Sequence, residues 1–376
     1  MNRLIRLELL LFATVFAAGG CLGSDDKPTS YVELLRFVPD QAEYRSSILI
    51  VDYAALRDLP APDGLSEDAS ELEQLAARSD WYFDIEAIRP LGVTVTLKVP
   101  QILDDWEVAL GVSIADVDRS LHVQVVGPNA PSVIAVARGT FDADQVPPLL
   151  ASCAECVPAD RPSHEGVRYY DWGEGINARL RLAPPVYDDI GHGGQFHFTD
   201  DYILRTDQNS ALTAAIDANQ GPGSVADRAD FGAIAEALES RGVVVAVLTD
   251  RHQGPEWVAE GLAGAADTEL LPAVRRALAS QPRLRPYSAY ALGAGIEDGE
   301  TFMTLVLAHA STDEATENVT RLRLRLEKTT TAEGEPWGNV FSSWEIESDG
   351  ELLSATLRGA PRWTLVSLRE ALLLHE

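Results

Sequence analysis

The order of elements in this chain is written twice, and that repetition limits the folds open to it more than any other feature. In the first half, 47–51 reads as a buried strand and 70–87 as a helix. Strands are expected at 107–114 and 133–137, then a helix at 142–153 with Asp142 as its N-cap. A strand follows at 167–172, a hairpin at 196–205 turning on Thr199-Asp200-Asp201, and a helix at 210–218. The second half runs through a strand at 243–248, a helix at 269–279 and a hairpin at 289–308 turning at Glu297-Asp298-Gly299-Glu300. Then come a helix at 312–326, a second hairpin at 341–357 around Ser348-Asp349-Gly350, and a closing helix at 364–373. The clearest local match pairs 109–116 with 291–298.

Hairpins enforce antiparallel pairing, which excludes a doubly wound parallel sheet. The expected fold class is α+β: two similar halves, each a mainly antiparallel sheet with helices packed on one face. The halves are expected at 31–220 and 221–376, with Gly221-Pro222-Gly223 breaking the chain and a helix at 230–239 between them. Residues 321–326 alternate Arg and Leu at strand period, but Ala315, Val319, Leu322 and Leu326 fall at helical spacing, and the repeat decides for helix.

The N-terminus carries an export pattern. Arg3 and Arg6 precede a short apolar run at 9–18, followed by Ala18-Gly19-Gly20-Cys21. The run is too short to span a bilayer, which takes about 20 residues. Ending on Cys, the pattern resembles the lipobox of prokaryotic lipoproteins, with Ala18 where Leu is commoner and Glu8 beside the apolar core. The resemblance implies a leader at 1–20, diacylglycerol on the Cys21 sulfur, and Cys21 as the mature N-terminus. An ordinary secretory signal cleaved near Gly20 is the alternative. Residues 22–30 are polar, with Gly, Pro and Ser, and read as a tether. The implied location is the cell envelope, lipid-anchored on the extracytoplasmic side. The body is similar to duplicated exported α+β bacterial proteins of unknown function, which share a strand ending in Asp before a helix, as at Val51-Asp52 and Thr249-Asp250. That likeness assigns no functional residue.

The formal net charge of −28 repels nucleic acid and anionic lipid head groups, so neither is an expected partner. An envelope protein or a small ligand remains. With Cys21 lipidated, Cys153 and Cys156 form a CxxC in an oxidising compartment. A redox CxxC opens a helix, whereas this one closes a predicted helix, where the dipole disfavours a thiolate. A structural disulfide is therefore expected. Asp188, Asp189, His192 and His197 are the best local set of metal-ligand types, though their spacing fits no known motif. They carry the alternative reading, an extracytoplasmic metal-assisted hydrolase. His197 alternates with Phe196 and Phe198, so it is expected on the opposite face of its strand. The aromatic runs 81–83 and 169–172 read as core or as a groove lining. Ser163-His164 and Gly223-Ser224 read as loop, and Asn318-Val319-Thr320, a glycosylation pattern, falls inside a helix. No G-x-S-x-G elbow, P-loop, dinucleotide fingerprint or HExxH is present, and no cofactor is implied. The principal expectation is a non-catalytic binding or interaction module.

Overall fold

The computed structural model describes residues 30–62, 64–66, 68–83, 110–126, 131–152, 157–174, 193–251, 282–330 and 336–359. The strands are β1 (Ile48–Asp52), β2 (Val117–Val126), β3 (Pro131–Gly139), β4 (Ser163–His164), β5 (Val167–Arg168), β6 (Tyr170–Asp171), β7 (Gln195–Phe198) and β8 (Tyr202–Thr206). They continue with β9 (Val243–Thr249), β10 (Ala289–Glu297), β11 (Glu300–Ala308), β12 (Ser343–Asp349) and β13 (Leu352–Arg358). The helices are α1 (Tyr31–Leu35), α2 (Tyr53–Asp58), α3 (Glu71–Phe83) and α4 (Val146–Ser152), then α5 (Asn209–Gln220), α6 (Ala229–Ser240), α7 (Thr312–Lys328) and α8 (Trp337–Val340).

Among the described residues, all strands but β4 and β5 join one eleven-stranded antiparallel sheet, ordered β12-β13-β11-β10-β9-β1-β2-β3-β8-β7-β6. The fold is α+β. Two similar series run outward from the β1–β9 pair: β1-β2-β3-β8-β7 on one side and β9-β10-β11-β13-β12 on the other. The sheet is thus continuous across the two halves, with Ile48 opposite Leu248 and Val51 opposite Val245.

The helices cover both faces of the sheet, not one face of each half. On one face, α1, α5 and α6 pack over Ile48, Ile50, Leu121, Val136, Ala291 and Val306. On the other, Tyr53 and Leu56 of α2, Leu75 of α3 and Val146 of α4 join Val51, Ala137 and Ile203. Leu322 and Leu326 of α7 and Trp337 of α8 cover Tyr290, Leu305 and Leu353 on that same side. The reason lies in the central strands. β9 reads Val-Val-Val-Ala-Val-Leu-Thr, apolar at both alternating sets, so either face left bare would expose a hydrophobic surface.

Local chemistry sets the element ends. Ser30 and Glu33 form a reciprocal capping box that starts α1. The β10–β11 hairpin closes with Asp298 (φ 52°) and Gly299 (φ 82°), a two-residue Asp-Gly turn of the kind that matches strand twist.

Several expectations need correction. The segment 107–114 is not a strand where it is described: Gly111 has φ 68°, and Ile114–Asp116 is a 3-10 turn. The match between 109–116 and 291–298 therefore joins a turn to part of β10 and is no structural equivalence. Asp142 does not cap a helix: its carboxylate accepts from Gln145 Nε2 (2.7 Å), and a 3-10 turn precedes α4. The expected strand 167–172 divides between β5, paired with β4, and β6, on the main sheet. The helices expected at 269–279 and 364–373 lie outside the described residues.

Gly139, where β3 ends, lies so close to the 3-10 turn that an added Cβ would sit 1.7 Å from the Asp116 carbonyl oxygen. Backbone cannot yield as a side chain end would. Gly139→Ala is expected to cost about 2 kcal/mol through overpacking, read as a lowered urea midpoint. An unchanged midpoint would show that the turn can move freely.

Candidate functional site

A cleft of about 640 Å³ opens where the start of α6, the end of β11 and the β12–β13 turn meet. Arg228, Asp230 and Ala233 form one wall, Ala308 and His309 the floor, and Asp349, Glu351 and Leu352 the other wall. Its volume falls in the range of small-molecule sites, roughly 300–1,000 Å³.

The α6 wall is built by a tight turn. The Asp227 carboxylate accepts from the backbone N–H of Ser224 (3.0 Å) and of Gly223 (2.8 Å) and from the Ser224 hydroxyl (3.1 Å). These bonds hold its carboxyl below the ordinary range. Arg228 follows and forks onto Asp230, with Nε at 3.1 Å from one oxygen and Nη2 at 2.8 Å from the other. Burial acts to raise the Asp230 carboxyl, but the bonds from Arg228 and Ser288 outweigh it and hold it low. The other side of Arg228 lies 3.6 Å from Asp40. Asp40 also pairs with Arg45 (2.6 Å), and Arg45 with Asp250 (2.5 Å). A run of alternating charges thus ties the loop before β1 to the end of β9 and to the cleft.

The floor is neutral. His309 Nδ1 lies 3.2 Å from the Glu351 carbonyl and Nε2 lies 2.7 Å from Asn318 Nδ2. Burial pushes the imidazole below its ordinary value, despite the carbonyls of Glu351 and Leu307 and the charge of Glu314. Asp349 and Glu351 are exposed, and among the described residues neither has an ion-pair partner.

General base chemistry needs a free lone pair within reach of substrate. Both nitrogens of His309 are already in use, and Asp230 is committed to Arg228.

No family model matches the sequence, and comparison with curated proteins finds no match. Among solved structures, crystal form I of TP0453 has a TM-score of 0.36 at 12% identity, covering 90% of this chain and 97% of that one. Crystal form IV gives 0.38 at 11%, covering 89% and 96%. These likenesses say nothing about a site.

Most site residues expected from sequence lie outside the described residues: Cys21, Cys153, Cys156, Asp188, Asp189 and His192. His197 is described. Its Nδ1 is 2.9 Å from the Arg168 carbonyl, its ring meets Tyr202 edge-on, and burial lowers its pKa. Phe196 and Phe198 stack on each other on the opposite face and pack with Trp172 and Tyr170. Among the described residues, no three His, Cys, Asp or Glu side chains gather as metal ligands. The aromatics of 169–172 are buried, with Trp172 Nε1 donating to the Val157 carbonyl (2.8 Å). His164 pairs with Asp217 on the surface (2.6 Å). Asn318 is fully buried and hydrogen-bonded.

The cleft residues carried no motif. One signal was readable: Asn318 falls on the same helical stripe as Ala315, Leu322 and Leu326, and a polar residue on an apolar stripe requires a buried partner.

Proposed function

We propose that the chain is an extracytoplasmic lipoprotein, held on a membrane by lipid on Cys21, whose body is a non-catalytic binding module. The observation that carries the binding half is the cleft: an open volume of ligand size whose His309 and Asp230 are already satisfied within the protein. Its occupant is a small ligand or a segment of an envelope protein. The anchoring half rests on the basic, apolar, small-residue order ending at Cys21. The polar residues 22–30 that follow Cys21 read as its tether. Fully extended, such a tether reaches about 30 Å. Among the described residues no helix is long and apolar enough to cross a membrane. Two acyl chains anchor stably at about 0.8 kcal/mol per buried CH₂.

Intact mass and detergent partitioning of the native protein against Cys21→Ser test this. The native form is expected to lose 1–20, gain diacylglycerol mass and enter the detergent phase, while Cys21→Ser does none of these. A native protein released without lipid would overturn the anchor and return Cys21 to the pool of thiols.

A further inference from the structure

The hydrogen bonds around Asn318 leave its amide a single orientation. Its Oδ1 accepts from the Arg285 backbone N–H (2.6 Å), while its Nδ2 donates to the Arg285 carbonyl (3.1 Å). A flipped amide would set oxygen against oxygen and NH₂ against N–H. The second Nδ2 hydrogen therefore points at His309 Nε2, 2.7 Å away, and Nε2 must accept. The single ring proton then sits on Nδ1, where it donates to the Glu351 carbonyl (3.2 Å). The same carbonyl also takes the His309 backbone N–H (2.9 Å). The neutral imidazole thus joins α7, the end of β11 and the β12–β13 turn.

Protonation reverses one member of this set. A proton on Nε2 would meet the Asn318 NH₂ head-on, donor against donor, and Asn318, fully buried, cannot turn away to water. We propose that His309 and Asn318 form an acid-released latch: in mild acid the imidazolium cannot accept from Asn318, and the N-terminal half of α7 loosens from the end of β11 and the β12–β13 turn. Because His309 and Glu351 also line the cleft, release alters the shape of the cleft. The latch does not depend on the binding reading and stands whether or not a ligand occupies the site.

The surrounding charges act in both directions. Glu314 on α7 and Glu351 and Asp349 on the turn favour a charged imidazole, as does Asp230 across the cleft, whereas Arg228 and Arg285 oppose it. Burial outweighs the carboxylates, so the folded value lies below the ordinary one. The sign follows. Above the ordinary value of about 6.5, folded and unfolded chains are both neutral at this position and the latch is whole. As pH falls below it, the unfolded chain binds the proton first and stability declines, until the folded value is reached and the imidazole charges in place.

Hydrogen exchange on the full mature chain at about pH 7.5 and about pH 5, corrected for intrinsic rates, reads the opening directly. Exchange across 312–320 and 349–352 is expected to rise at about pH 5 by up to about thirtyfold, the ceiling set by an ordinary imidazole value of about 6.5. In His309→Gln the amide oxygen accepts from Asn318 at every pH, so the same segments should respond little. An equal acid response in both proteins, or none in the wild type, sinks the latch. If His309→Gln does not fold, ¹⁵N chemical shifts of His309 in the wild type decide. A neutral Nδ1–H tautomer titrating below the ordinary range supports the latch, and an Nε2–H tautomer or an ordinary titration overturns it.

Discussion

Arg119→Ala is expected to lower the free energy of unfolding by about 3–5 kcal/mol, the cost of breaking a buried ion pair by removing one partner. Arg119 on β2 and Asp52 at the end of β1 are each 7% exposed. Nε donates to Asp52 (2.8 Å) and Nη1 to Glu239 at the end of α6 (2.5 Å). The guanidinium also stands 4.8 Å from the Tyr31 ring centroid, and the Tyr31 hydroxyl donates to the Val243 carbonyl. One side chain therefore joins α1, the first two strands and the second-half helix at the seam of the sheet. Without it, the Asp52 charge stays buried beside Glu239 with no cation to offset it. Asp52 cannot swing out to water, because its other oxygen caps α2 through the Ala55 N–H (2.8 Å). Arg119→Lys should fall between wild type and Ala, since a point charge cannot fork to both carboxylates. The measurement is urea unfolding, with the midpoint lowered and the slope unchanged. A loss below about 1 kcal/mol would mean that water reaches the carboxylates as it does in surface pairs.

The same seam marks the limit of what the sequence discloses. Segments whose own pattern settles their state were legible. Residues 312–326 read as helix and form Thr312–Lys328; 243–248 reads as strand and forms Val243–Thr249; the Asp298-Gly299 turn lies where the dipeptide put it. These succeed because period and turn chemistry are local properties. β2 was missed. Its sequence, Val-Asp-Arg-Ser-Leu-His-Val-Gln-Val-Val, looks too polar for a central strand, yet Leu121 and Val123 share one core face, while a register break between Val117 and Arg119 turns Val117 to the other. Arg119 is buried because partners far along the chain, Asp52 and Glu239, satisfy it, and no local pattern reports that. α1 was missed as well, although Ser30 followed by Glu33 spells a capping box. The pairing of β1 with β9 had no local sign at all. For the cleft, Asn318 was visible as a polar break in an apolar stripe, but Arg228 and Asp349 come together only through the hairpin and α6, so their juxtaposition belongs to topology. The placement of helices on both faces follows from β9 being apolar throughout, a fact present in the sequence whose consequence for a three-layer arrangement needed the strand's central position in the sheet.

Phe231→Ala is expected to cost about 3–5 kcal/mol, from lost transfer energy together with the cavity left behind. The ring is fully buried on α6, with Ile234, Ala235 and Leu238 on the same face. That face packs on a small-residue stretch of sheet, where Ala289, Ala291 and Val306 lie in the same core. An added Cβ on Gly293 would come within 3.2 Å of Leu238, so helix and sheet are already in close contact and have little slack to close a hole. Phe231→Leu keeps most of the volume and should cost less than about 1.5 kcal/mol. The effect also reaches the cleft. Arg228 lies 5.5 Å from the Phe231 ring centroid, and the Phe231 N–H donates to Asp230 (2.9 Å), so the ring supports the turn that presents the Arg228–Asp230 fork. The exposed carboxylates on the facing wall have no such support to lose: Asp349→Asn and Glu351→Gln should each stay within about 0.5 kcal/mol of wild type. Urea unfolding of the four variants separates the two walls. Equal small losses in all four would show that α6 is not held by its apolar face. A large loss confined to Phe231→Ala would place the rigidity of the α6 wall in its apolar face.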